Sequence, residues 1–138
     1  MKKKIDIYKM PPREVEILYT LWDARRPLIA SEIANEELKL ATVHTTLKRM
    51  LKKDVLEVVD FAKSGKVYGR CYQPTISLME FEMSRLCELF LRKKCKEITL
   101  ASFVAEMLKG MDDADVLKEL DELEKVIKQK RMELMDKK

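Results

Sequence analysis

The stretch Leu40–Lys53, reading LATVHTTLKRMLKK, constrains this chain more than any other. Wound at a helical period, it collects Leu40, Val43, Leu47, Met50 and Leu51 on one side and Thr42, Thr45, Lys48, Arg49 and Lys52 on the other. The first set suits a core. The second mixes short hydroxyls with cations, side chains matched to base edges and phosphates in a DNA groove. Thr42–Lys53 therefore reads as a recognition helix, with Thr42 as its N-cap. The rest of the chain must supply a fold that presents it.

The segments before it do so. Pro11 and Pro12 suit the first turn of a helix. Through Ala24 that helix places Val15, Leu18, Tyr19 and Trp22 on one face, with Trp22 as a core anchor. Arg25-Arg26-Pro27 ends it, since a residue before proline is pushed out of the helical region. Leu28-Ile29 has the makings of a very short strand. Ser31 is a candidate N-cap for a helix over Glu32–Leu38. A short helix, a tight connection at Lys39–Ala41 and a longer helix with a cationic face make a helix-turn-helix.

The period then changes from helical to alternating. Val55–Ala62 and Val67–Gln73 read as two strands around the turn Lys63-Ser64-Gly65-Lys66. A hairpin directly after a helix-turn-helix is a wing. Lys63, Lys66 and Arg70 stand where a wing meets phosphates, although lysines at a hairpin tip can also be merely solvated.

From Ser77, where Ser-Leu-Met-Glu fits a capping box, the chain reads as helical to its end. Met79, Met83, Leu86 and Phe90 form a stripe that Leu78, Phe81, Leu89 and Leu91 widen. Ile98–Lys109 is a second helix, closed by Gly110 as a C′ residue. Asp112 or Asp113 caps a last helix carrying Val116, Leu120, Leu123, Ile127 and Leu134. Some sixty residues in three helices cannot easily bury such stripes alone. A two-fold partner covers them economically, through Met83, Leu86, Phe90, Phe103, Leu120, Leu123 and Ile127; a tail folded back on its own head is the alternative.

The expected fold class is thus mainly α (α+β): a winged helix-turn-helix DNA-binding domain over residues 1–74 and a helical dimerisation domain over 75–138. Charge supports the division. Residues 1–74 hold 15 Lys/Arg against 10 Asp/Glu, while 75–138 hold 13 against 14, so the positive excess lies in the head.

Enzyme chemistry finds little support. His44 is the single histidine, and no Ser, His or Cys cluster offers a nucleophile and base. No glycine-rich phosphate loop is present. Cys71, Cys87 and Cys95 lack the spacing of a zinc site or a disulfide framework. No cofactor or metal is expected. Reduced thiols, a basic start without an apolar run and the lack of any membrane-length apolar segment point to the cytoplasm, without direct membrane binding.

On the outer face of the helix, Arg49 and Thr45 are central and suited to bases, Arg in particular to guanine. Thr42 and Thr46 suit bases or phosphate. Lys48 and Lys52 suit phosphates. His44, at the edge of the apolar face, fits either a DNA contact or packing at the helix flank. The partner so implied is double-stranded DNA, while an adaptor that binds protein through the same winged helix remains open.

Glu14-Val-Glu-Ile-Leu, Leu21-Trp22, the string Ala41-Thr42-Val43-His44-Thr45-Thr46-Leu47-Lys48-Arg49-Met50, Lys52-Lys53 and the hairpin end Tyr72-Gln73-Pro74 resemble the penicillinase-repressor (BlaI/MecI) family. The resemblance runs over nearly all of residues 8–138. It implies a cytoplasmic winged-helix repressor that dimerises through C-terminal helices and binds palindromic operators, with Thr42, Thr45, Thr46 and Arg49 as recognition positions. It further implies control of β-lactam-resistance (β-lactamase) genes. In antibiotic-sensing members a membrane sensor metalloprotease pathway leads to a cut before a Phe in the dimerisation region; Ser102-Phe103 is the matching place, with Ser where better-known members have Asn. Copper-responsive relatives carry a cysteine-rich C-terminal motif that this sequence lacks, which argues against copper sensing; a metal- or redox-responsive regulator using Cys71, Cys87 and Cys95 is a further alternative, which their spacing disfavours. Asp54 stands where the family commonly has Gly, in a turn whose left-handed geometry Asp tolerates.

Overall fold

The computed structural model describes residues 6–64 and 67–137. It divides into two compact units, 1–92 and 93–138. After a 3₁₀ turn at Ile7–Lys9 come α1 (Pro12–Ala24), α2 (Ala30–Ile33), α3 (Leu40–Lys52), β1 (Leu56–Ser64), β2 (Val67–Pro74), α4 (Leu78–Leu91), α5 (Leu100–Lys109) and α6 (Asp113–Asp136). The first unit is a winged helix, as expected: three helices, an antiparallel hairpin, then α4.

In α1, Pro12 occupies the first turn and Arg25, at φ 56°, ends the helix in the left-handed region. Its buried stripe is Glu14, Ile17, Leu18 and Leu21. The expected Val15, Tyr19 and Trp22 are half-buried at the margin of the core. The face is rotated because Tyr19 and Trp22 turn toward α4 rather than into the centre.

Helix α2 is one turn, with Ile29 as N-cap, and Ser31 is exposed within it. Glu32 does the capping instead: its carboxylate accepts from the Ile29 N–H at 3.1 Å. The helix stops at Ile33 because Asn35 Oδ1 takes the N–H groups of Glu37 and Leu38, at 2.9 and 2.7 Å, into a side-chain turn.

Helix α3 starts at Leu40 with Lys39 as N-cap, two residues before the expected start, so Thr42 lies inside the first turn and does not cap it. Val43, Leu47 and Met50 are buried, Leu51 is half-buried against the core, and Leu40 is exposed, contrary to its expected place on the core face. Asp54, at φ 61°, makes the left-handed turn out of α3. Thr75 ties that turn down by donating to the Asp54 carbonyl at 2.6 Å.

The two strands pair antiparallel from Leu56 opposite Pro74 to Ser64 opposite Val67, with a bulge at Val59. The short strand suggested by Leu28-Ile29 is a single bridge: Leu28 and Tyr72 exchange N–H···O bonds of 3.1 and 2.8 Å. A Cβ on Gly69 would lie 3.3 Å from the Ile29 side chain, so any larger residue there requires Ile29 to give by a few tenths of an ångström.

Ser77 caps α4, accepting from the Glu80 N–H at 3.0 Å. Phe81, expected to widen the stripe of the tail, is fully buried in the head. Its ring lies 5.9 Å from Tyr19 and 5.2 Å from Trp22, which are themselves edge-on at 5.4 Å. Trp22 Nε1 donates to the Ile76 carbonyl at 3.1 Å and Tyr19 to Glu82 at 3.2 Å. Packing therefore divides the chain after α4, not near residue 75.

In the second unit, Thr99 and Ser102 form a reciprocal cap at the start of α5, and Asp112 caps α6. Gly110 ends α5 at φ −83°, in the right-handed region, so its freedom for positive φ is not used. Neither α5 nor α6 has a buried residue. No helix among the described residues is long and apolar enough to cross a membrane.

Candidate nucleic-acid interface

Helix α3 is held from three sides and open on the fourth. Val43, Leu47 and Met50 fix its inner face in the core with α1, α2 and β1. His44, Thr45, Lys48, Arg49 and Lys52 stand together on the outer face, all exposed, and Thr42 is half-buried at its edge. The Thr45 hydroxyl donates to the Ala41 carbonyl at 3.0 Å, which leaves its lone pairs free to accept from a base or a water.

Thr46 does not belong to this face. It is fully buried, and its hydroxyl donates to the Thr42 carbonyl at 2.7 Å. It lies three residues from Val43 and four from Met50, the helical spacing of the inner face, and the bond to the preceding turn makes a buried threonine tolerable there.

The cations at the end of α3 have different roles. Lys52 is exposed, whereas Lys53 Nζ donates to both carboxylate oxygens of Glu14, each at 2.9 Å. Glu14 is 1% exposed, so this pair ties the first turn of α1 to the exit of α3. Sequence reasoning missed it. An acid in a first helical turn reads as a favourable surface charge, and only its register with Ile17, Leu18 and Leu21 hints at burial.

On the wing, Arg70 is exposed. Only the backbone of Lys63 is described, opposite Tyr68, and Lys66 lies outside the described residues. At the base of the wing, Arg26 and Glu32 pair at 2.6 Å. That hydrogen bond, with the Ile29 N–H, holds the Glu32 carboxyl below the usual carboxylate range, and Glu32 raises Arg26 in turn. Burial pushes the nearby Cys71 thiol up. Cys87 and Cys95 are free and exposed. Among the described residues, no group of three His, Cys, Asp or Glu side chains is placed to hold a metal.

The residues expected to form a dimer contact lie on α4, α5 and α6. Met83, Leu86, Phe103, Leu120 and Ile127 are exposed, and Phe90 and Leu123 half-buried. Ser102 and Phe103 sit in the first turn of α5, where the Phe103 N–H donates to the Thr99 carbonyl at 3.0 Å.

An anchored helix with an open polar and cationic face, a short helix before it and a hairpin after it define a winged-helix protein of the helix-turn-helix type. The comparison with known families gives the particular kind. The family model described as Penicillinase repressor matches residues 10–129, and the chain belongs to that family, one of transcriptional repressors rather than enzymes. No curated protein matches the chain.

Proposed function

We propose that this protein is a dimeric repressor that binds palindromic operators through α3, acts in the cytoplasm, and controls β-lactam-resistance genes. The observation that carries the reading is the outer face of α3: five adjacent exposed side chains, three of them permanent cations, on a helix whose inner face is immobilised. Arg49 and Thr45 read bases, with His44 and Thr42 at the margins. Lys48, Lys52 and the wing cations Lys63, Lys66 and Arg70 neutralise phosphates, which adds affinity but little specificity.

The apolar faces of α4, α5 and α6 support a second copy as partner. A helix pair without one buried residue cannot hold its shape by its own packing, and a two-fold partner supplies the missing surface. The dimer sets two copies of α3 in successive major grooves, about 34 Å apart.

A membrane sensor metalloprotease pathway relieves repression by cutting Ser102–Phe103. The cut detaches most of α5 and all of α6, the dimer loosens, and two linked half-site contacts become two weak single ones.

A mobility-shift titration on the protein's own promoter tests the reading. Binding to a palindromic site falls steeply from low to moderate salt. Arg49→Ala weakens it by about 1–3 kcal/mol. Binding that is independent of sequence and unmoved by Arg49→Ala overturns it.

A further inference from the structure

Two aromatic rings on the wing are not used by phosphate neutralisation. Phe61 is 63% exposed and Tyr68 71% exposed. Two exposed aromatic rings on one short ribbon present apolar surface that a binding partner can cover.

The register shows how they are grouped. Phe61 pairs with Arg70, and Tyr68 with Lys63. Directly paired residues share a face, so these four positions lie on one side of the ribbon. Asp60, opposite Cys71, and Glu57, opposite Gln73, fall on the other side. The bulge at Val59 creates this separation. Without it Asp60 would pair with Arg70 and Phe61 with Gly69. The extra residue moves the acid off the cationic face and puts a phenyl ring there, the re-aiming that bulges accomplish.

We propose that Phe61 and Tyr68 form an apolar wedge that enters the minor groove of DNA beside the α3 contact, with Arg70 binding phosphate between them. The inference rests on the DNA-binding reading above and adds a second mode of recognition to it. Charge selects the occupant: the face carries cations and no acid, in a head with a net positive charge. The ribbon begins at Leu56, four residues after α3 ends, so a helix seated in the major groove leaves the wing over the neighbouring backbone and minor groove. Apolar side chains there open a base step, which flexible pyrimidine–purine steps allow most cheaply. The wing thereby selects sequence outside the bases that α3 reads.

The test starts from duplexes that the full-length wild-type protein selects from a random pool. Wild type enriches half-sites flanked by TA or CA/TG steps. The double variant Phe61→Ala/Tyr68→Ala enriches the same half-sites without those flanks, and binds the wild-type duplex about tenfold more weakly. Phe61→Leu, which keeps an apolar wedge, retains the flanks. A 2-aminopurine placed at the flanking step brightens on binding wild type and not the double variant. Unchanged flanks and affinity in the double variant overturn the inference and leave the repressor reading intact, provided the half-sites still depend on Arg49. A double variant that instead alters the self-association of the free protein also overturns it, because the face then belongs to a second copy. Failure of the wild type to enrich any duplex removes both readings.

Discussion

Replacing Lys53 by Met should unfold the head far more readily than removing an ordinary surface lysine. In the native chain one ammonium bonds both oxygens of a carboxylate that is 1% exposed. Methionine keeps the stem of the side chain and deletes only the charge. Glu14 is then a buried anion with no cation. Stripping one partner from a buried pair costs about 3–5 kcal/mol. The Lys53 side chain is itself 46% exposed, so water reaches part of the site and the lower end applies, about 3 kcal/mol. For a unit of this size that corresponds to a fall in Tm of roughly 12–24 °C. Trp22, the only tryptophan, lies in the head and reports its unfolding in urea at fixed protein concentration. The double variant Glu14→Met/Lys53→Met should recover most of the loss, since it removes the stranded charge together with its partner and leaves no unpaired polar group. A loss below about 0.5 kcal/mol for Lys53→Met would show that the pair behaves as an exposed one and refute the reasoning.

Three other outcomes follow from the packing. Thr46→Val should leave operator affinity within about twofold and cost the fold about 1 kcal/mol, because its hydroxyl bonds only within α3; a tenfold loss in a mobility shift would return Thr46 to the interface. Phe81→Ala should cost about 3–5 kcal/mol and shift Trp22 emission to the red as α4 loses its anchor between Tyr19 and Trp22; unchanged emission would mean that α4 is held elsewhere. Glu32 has a lowered carboxyl in the folded state, so its contribution to stability is present above the ordinary carboxylate range and is lost as pH falls through the lowered value. Glu32→Gln should therefore be less stable than wild type near neutrality, with the gap closing in acid, as urea midpoints across that range would reveal; a gap independent of pH would contradict the pairing with Arg26.

The elements that were legible in the sequence are those whose pattern is carried by aliphatic residues. Val43, Leu47 and Met50 mark the inner face of α3 so firmly that its outer face follows by subtraction. The wing was legible for a similar reason: alternation gives way to Lys-Ser-Gly-Lys and resumes. Amphipathic and small residues were less informative. Threonine suits both a buried turn and a groove, so the residue type of Thr46 left its side open, and only its spacing from Val43 and Met50 hinted at burial. Tyr19 and Trp22 bury part of their surface wherever a neighbour exists, which rotated the expected face of α1. Phe81 fits the apolar stripe of α4 by spacing alone, and only the aromatic pair waiting in the head assigns it there. Long-range pairing left the least trace. Nothing local to Glu14 announces Lys53, and nothing local to Val59 announces a bulge.

The cap of α5 bears on timing. A protease generally needs several residues in extended form, and Ser102–Phe103 lies in a turn closed by three hydrogen bonds between Thr99 and Ser102 and a fourth from Phe103 to Thr99. If this bond is the one cut, as proposed, it is presented only in the fraction of molecules whose first turn has opened. An opening free energy of about 2 kcal/mol would keep that fraction at a few per cent. Under the proposed cleavage the cap would act as a clock: the lifetime of the repressor would be set by how often one turn of helix frays, and a single hydroxyl at position 99 or 102 would adjust it without touching the proposed DNA-facing surface.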